Sequence, residues 1–300
     1  MKKKTYLFAL MAMALTLGSC SGNENGIGGE TSKYITVSTS IGNMTRVATD
    51  EKGGQTFEEG DEISVYAWTG DATVAPETRE RVVNNAINKL TNGSWVSNPQ
   101  MLWKNNRDKH YFIGVYPTAA ISDLSAGEYT FDVNKQTESD LLVAVNKDGI
   151  SYNADEQQTV PLTFTHVMAK LVVNLTYKNQ WGGIPTVEKV VVGNAAKEAT
   201  INYLTKVVTP STTAKEDFSL PEITENTKYV SVIIPQEDVK QLTIVIGGKN
   251  FVYDNGTPFK LESGKITTVN LEVGRDEIKL GDVKITNWED GSTFSGEALN

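Results

Sequence analysis

Ile35-Thr36-Val37-Ser38-Thr39-Ser40-Ile41 alternates Ile35, Val37, Thr39 and Ile41 with Thr36, Ser38 and Ser40, the two-residue period of a strand that buries one face. The same pattern recurs along the chain in short runs closed by Gly, Asn, Asp or Pro, which marks a mostly β protein. Ahead of this strand, the stretch from Ser21 to Glu30 reads Ser-Gly-Asn-Glu-Asn-Gly-Ile-Gly-Gly-Glu. It has almost nothing to bury and reads as a flexible tether. Behind it come Gly42, Asn43 and a polar loop from Thr49 to Gly54. The turn Glu59-Gly60-Asp61 then leads into a second strand, Glu62-Ile63-Ser64-Val65-Tyr66-Ala67-Trp68.

Farther along, Val82, Val83, Ala86, Ile87 and Leu90 recur at helical spacing, whereas the Asn92-Gly93 and Trp95 that follow favour a strand and hairpin. Pattern alone leaves that segment open between helix and strand. His110-Tyr111-Phe112-Ile113-Gly114-Val115-Tyr116-Pro117 is a strongly apolar strand ended by proline, and Leu141 to Val145 is another; both belong in a sandwich core. From Asn146 to Gln158 the chain is polar and rich in turn residues. Beyond it the expected strands are Leu162 to Phe164, Leu171 to Tyr177, Val187 to Val192, Tyr229 to Ile234, Leu242 to Ile246, Phe251 to Tyr253, Ile266 to Val273 and Val283 to Trp288. Gly247-Gly248 joins two of these as a tight hairpin, because glycine supplies the positive φ such a turn needs. The reading is all-β, with two β-sandwich domains in tandem over residues 31–158 and 159–300, rather than a parallel α/β fold.

Cys20 is the only cysteine, and it follows Leu17-Gly18-Ser19. Lys2, Lys3 and Lys4 precede an apolar run from Tyr6 to Leu17, which is too short for the roughly 20 apolar residues of a bilayer span. Residues 1–19 therefore read as the removable signal of a bacterial lipoprotein. The Cys20 thiol accepts the lipid, and residues 20–30 form the tether. An ordinary secretory signal with a chance cysteine is the alternative. Each buried CH2 of an acyl chain contributes about 0.8 kcal/mol, so two or three chains hold a protein firmly on a membrane. With Cys20 acylated no disulfide can form, and the chain must fold on core burial alone.

The mature chain of about 280 residues suits one large or two average domains. Its 39% hydrophobic and 8% aromatic content is that of a globular protein. Loss of three signal lysines takes the net charge from −9 to near −12, which argues against nucleic acid as a partner, since that calls for a basic patch. His110 and His166, the two histidines, lie far apart in strand-like runs with no His or Cys at metal spacing, and read as hydrogen-bonded structural residues. No G-x-S-x-G, P-loop, H-E-x-x-H or calcium-loop pattern occurs, so the chain reads as a non-enzyme without cofactor or metal. Asp61-Glu62, Asp155-Glu156 and Asp276-Glu277 sit at turns, and none singles out a catalytic carboxylate pair. Tyr66, Trp68, Trp95, Trp103, Trp181 and Trp288 read mainly as core or half-buried residues. A sugar-stacking platform is their other reading, and it carries the alternative function of an outer-membrane glycan-binding lipoprotein.

Five features occur in order along the chain. They are the lipobox at Cys20, Phe57-Glu58-Glu59-Gly60-Asp61-Glu62-Ile63-Ser64-Val65, Tyr111-Phe112-Ile113-Gly114-Val115-Tyr116-Pro117, Leu162-Thr163-Phe164-Thr165-His166-Val167-Met168-Ala169-Lys170-Leu171, and a late strand closing on Asn287-Trp288. Together they resemble the fimbrillin family of Bacteroides-type (type V) pili, in particular the fimbrillin-like lipoproteins related to the minor fimbrium, over most of the mature chain. The resemblance implies two transthyretin-like β-sandwich domains, an outer-membrane lipid anchor, and other pilus subunits as partners in an adhesive surface fibre. It also implies cleavage by an arginine- or lysine-specific protease after the first strand. Arg46 in Met44-Thr45-Arg46-Val47, the first arginine of the chain, is the expected site; Lys52 is a less attractive substitute and Lys33 precedes the strand.

Such a cut would release Cys20 to Arg46 and empty the groove filled by Ile35, Val37 and Ile41. Burial of each of these side chains is worth roughly 1.5–3 kcal/mol, which a neighbouring subunit's C-terminal strand would recover by β-augmentation. After Trp288 the stretch from Glu289 to Asn300 is polar apart from Phe294 and Leu299, so Ile278 to Trp288 is the other candidate donor. A chain in which neither segment can detach would serve as an anchor, an accessory or tip subunit, or a surface lipoprotein that never polymerises.

Overall fold

The computed structural model describes residues 33–42, 56–136, 139–154, 156 and 158–288. Cys20 and Arg46 lie outside the described residues. The chain is all-β. Its earlier strands are β1 (Thr36–Ile41), β2 (Glu62–Thr69), β3 (Arg81–Thr91), β4 (Ser94–Asn98), β5 (Lys109–Tyr116), β6 (Gly127–Thr130), β7 (Leu142–Ser151) and β8 (Thr159–His166). They are followed by β9 (Ala169–Tyr177), β10 (Val187–Ala196), β11 (Glu198–Asn202), β12 (Val207–Pro210), β13 (Lys215–Ser219) and β14 (Glu222–Thr224). The last are β15 (Lys228–Ile233), β16 (Gln236–Ile246), β17 (Lys249–Leu261), β18 (Lys265–Val273) and β19 (Ile278–Asn287).

Seven strands form one sheet in the order β1-β8-β7-β5-β2-β3-β4. The rest form a four-stranded sheet β13-β10-β16-β17, a five-stranded sheet β14-β15-β9-β18-β19 and a three-stranded sheet β12-β11-β6. The segment with helical spacing is the strand β3. Its partner register shifts between Val65 and Ala67, where Asn85 takes a left-handed φ of 57°. That bulge inserts one residue into the alternation, so the buried positions step from Val83 to Ala86, an interval of three that imitates a helix. Asn92 and Gly93 close the β3–β4 hairpin, and Gly247 and Gly248 the β16–β17 hairpin, all with positive φ.

The seven-stranded sheet serves two cores. Along β2, Ile63, Val65 and Ala67 face a core shared with β1, β5, β7 and β8. Tyr66 and Trp68 point the other way, into a larger core that also takes Leu171, Val173, Leu242, Ile244, Val269 and Leu271 from the later sheets. The chain after β5 covers this second face. The Ala119 amide donates to Ser64 Oγ at 3.0 Å and the Ile121 amide to the Tyr66 hydroxyl at 2.9 Å. The buried Arg81 guanidinium donates to the Ile121 and Ser122 carbonyls, each at 2.6 Å. The same connection then supplies β6, which pairs with β11. The first sheet thus runs past the polar stretch 146–158, of which 146–151 is the end of β7 and the remainder leads into β8, and β6 crosses into the later part of the fold.

Candidate functional site at the β1 edge

β1 is an outer strand of its sheet and pairs in parallel with β8, from Thr36 opposite Thr159 to Ile41 opposite Phe164. Ile35, Val37 and Ile41 fall on one face and are 2%, 6% and 8% exposed, so the structure brings the three predicted groove residues into a single buried row. Their burial contributes roughly 1.5–3 kcal/mol each. Hydroxyls finish the pairing: Thr36 Oγ1 donates to the Gln158 carbonyl at 3.1 Å and Ser40 Oγ to Thr163 Oγ1 at 3.2 Å. At the far end the Gly42 amide donates to the Phe164 carbonyl at 2.8 Å.

The start of β1 is clasped from outside its own sheet. The Ile35 amide donates to the Met101 carbonyl at 3.0 Å and the Trp103 amide to the Lys33 carbonyl at 3.2 Å, around an antiparallel bridge between Tyr34 and Leu102. His110 braces this clasp. Its Nε2 accepts the Lys104 amide at 3.0 Å, and the Trp103 ring stands edge-on at 5.0 Å. Burial pushes the His110 imidazole below the ordinary histidine value, which keeps the ring neutral and able to accept.

The open side of β1 faces β4, the other edge of the same sheet, across a cleft of about 600 Å³ lined by β1, Phe57, Leu90 and Trp95. The indole Nε1 of Trp95 donates to Thr39 Oγ1 at 2.9 Å. No backbone ladder joins the two edges among the described residues.

At the other end of the chain, β19 runs antiparallel along β18 as the edge of the five-stranded sheet. Its Val283 and Ile285 are 40% and 38% exposed. The strand is fastened at its end by Trp288, whose amide donates to the Gly264 carbonyl at 3.0 Å. The Trp288 ring stacks on His166 at 4.2 Å with planes 4° apart. His166 Nδ1 is 2.7 Å from Asp140 Oδ2, and Lys170 Nζ lies 5.6 Å from the Trp288 ring centroid.

The six aromatics weighed as a sugar platform are dispersed. Tyr66, Trp68 and Trp103 are buried, Trp95 lines the β1 cleft, Trp181 packs on Phe251 and Trp288 on His166. The clasp through Met101–Trp103 is made by backbone groups and had no signal in the sequence, and the contact of Trp95 with Thr39 had none beyond the two side chains' capacity to bond. The pairing of Trp288 with His166 joins two residues named in separate motifs.

The family model described as fimbrillin-like matches residues 45–288. The chain belongs to the fimbrillin-like family. Solved structures share the fold of this fimbrillin-like chain. A Bacteroides ovatus protein assigned provisionally to cell adhesion is 18% identical over 85% of this chain and 98% of its own, with a TM-score of 0.65. A Bacteroides uniformis protein with the same provisional assignment is 18% identical over 86% of this chain and 99% of its own, with a TM-score of 0.62. A fimbrial protein from Bacteroides vulgatus is 11% identical over 84% and 99%, with a TM-score of 0.54. No curated protein matches.

Proposed function

We propose that this fimbrillin-like chain is a structural, adhesive subunit of a surface fimbrium, carried to the outer membrane by lipid on Cys20 and made competent by a cut after Arg46. The observation that carries the reading is the state of β1: an edge strand in parallel pairing, yet with a fully buried apolar row. A strand held by one ladder and a two-bond clasp at its start can leave without dismantling its own sheet. A strand that fills a core leaves a groove whose apolar lining and bare β8 edge bind another strand. β19 is a suitable donor, because it is also an edge strand and much of its apolar surface is solvent-exposed. Other fimbrial subunits are its partners in this reading.

Mass spectrometry of fibres sheared from cells tests this. Subunits that begin at Val47 and carry no acylated Cys20 are expected. Fibres built from chains intact across Arg46 and still lipidated would overturn assembly by strand exchange.

A further inference from the structure

The motif Phe57-Glu58-Glu59-Gly60-Asp61 has no part in strand exchange as described, yet it is heavily braced. The Glu58 amide donates to Asp61 Oδ2 at 2.7 Å, and the Asp61 amide to the Glu58 carbonyl at 3.0 Å. The turn they close requires a φ of 98° at Gly60, a conformation that favours glycine. The Glu59 carboxylate accepts the Asn92 amide at 2.7 Å and the Gly93 amide at 3.4 Å, at the tip of the β3–β4 hairpin. The Gly60 amide donates to the Leu90 carbonyl at 2.9 Å and the Leu90 amide to the Asp61 carbonyl at 2.8 Å. Asp61 Oδ1 accepts the Tyr116 hydroxyl at 3.3 Å. The turn is therefore fixed to β3, the hairpin tip and the end of β5, and none of these bonds involves β1.

The braced turn holds the Phe57 ring edge-on to three others: Phe164 at 5.1 Å, Trp95 at 5.3 Å and Tyr116 at 5.4 Å. Phe164 is the register partner of Ile41, and Ile41, Phe57 and Trp95 line one cleft. Phe57 accordingly sits at the end of the groove where the last buried side chain of β1 lies. Arg46 falls between Ile41 and Phe57 in the sequence, so a cut there separates the two covalently. Ile41 departs with β1, and Phe57 stays with the body.

We propose that Phe57 is the fixed floor of the β1 groove and selects the incoming strand for a bulky aliphatic side chain at the position of Ile41. This rests on the strand-exchange reading above. Rings held edge-on by a braced turn cannot collapse onto a smaller occupant, so a truncated side chain leaves a void, and a polar one is desolvated without a partner. Val37 lines the same cleft, but it lies four residues, roughly 13 Å, from Ile41 along the strand, beyond the range over which substitutions usually couple.

Peptide exchange tests the proposal. The full mature chain, carrying one engineered protease site between Gly42 and Thr56, is cut and mixed with an excess of a fluorescent peptide of sequence Lys33 to Gly42. Uptake is read by anisotropy. The native peptide is expected to bind at least about tenfold more tightly than the Ile41→Ala peptide. In the Phe57→Ala body that ratio falls below about threefold, while the ratio for a Val37→Ala peptide stays as in the wild-type body. Phe57→Leu, which keeps an apolar ring-sized volume in part, gives an intermediate ratio and serves if Phe57→Ala does not fold. Exchange with undiminished discrimination at Ile41 in these variants, or with equal loss at Val37, overturns selection by Phe57 and leaves strand exchange standing. No uptake by the cut wild-type chain overturns strand exchange, and this proposal with it.

Discussion

β1 and β19 are both edge strands, one parallel to β8 and the other antiparallel to β18. Each edge strand gives up one ladder of hydrogen bonds when it leaves, to which β1 adds only the two-bond clasp on Met101 and Trp103. Their side chains separate them. Ile35, Val37 and Ile41 are at most 8% exposed, whereas Val283 and Ile285 are 40% and 38% exposed. Removal of β1 opens a core; removal of β19 uncovers the edge of one that β9, β15 and β18 already enclose. The difference shows that position in the sheet sets how a strand detaches, while burial sets how much the remainder needs a replacement. The first strand is a stopper and the last is a strip.

The strongest way to break this contrast is to place a charge on each strand. Val37→Asp buries an unpaired carboxylate and is expected to cost about 3 kcal/mol or more, against less than about 1 kcal/mol for Val283→Asp, read from urea unfolding of the intact chain. Equal losses would mean that β1 is no more a core element than β19. Next in size is Trp288→Ala, which removes the stack on His166. A loss of about 1–2 kcal/mol is expected, with faster amide exchange confined to the end of β19 and none added at β1. Thr39→Val keeps the β-branched shape and deletes the acceptor of the bond from Trp95 Nε1. It should cost roughly 0.5–1.5 kcal/mol and speed exchange along β1 rather than β19.

Acid gives the finest distinction. Burial depresses the folded-state value of His110 below its ordinary value near 6.5, so the unfolded chain takes the proton more readily. Its contribution is complete above that ordinary value and is lost as the pH falls through the folded value. Protonated Nε2 can no longer accept the Lys104 amide, and the clasp on Ile35 loosens. Amide exchange at Ile35 and Trp103, corrected for the fall of the intrinsic exchange rate with pH, should therefore accelerate from pH 7 to pH 5 more than at β19. The same acceleration in His110→Gln would sever the link to this imidazole.

Much of the fold is legible in the order of residues because strands and tight turns are local. The alternation from Ile35 to Ile41 marks β1, and Asn92-Gly93 and Gly247-Gly248 mark their hairpins. What is non-local is hidden. Nothing near Ile35 announces that it will lie beside Val160's neighbours in β8, or that Met101 will hold its amide. The β3 bulge at Asn85 shows the opposite failure, in which one inserted residue turns a strand's period into a helix's. Of the site, the buried row was readable from its pattern. Phe57 was readable only as a letter in a motif, because its meaning depends on Phe164, Trp95 and Tyr116 arriving from three other strands or strand ends.

The parallel pairing of β1 with β8 also fixes an order of events in time. Thr36 bonds with Thr159, 123 residues later in the chain, whereas the β3–β4 and β16–β17 hairpins close across two residues. A chain made from its N-terminus completes local contacts first and distant ones last. β1 is thus the first of its sheet's described strands to be synthesised and the last to find its place, since β8 is the last of them to emerge. The groove around it takes shape on neighbours that can assemble before it docks, which is the order of events that the proposed strand exchange requires.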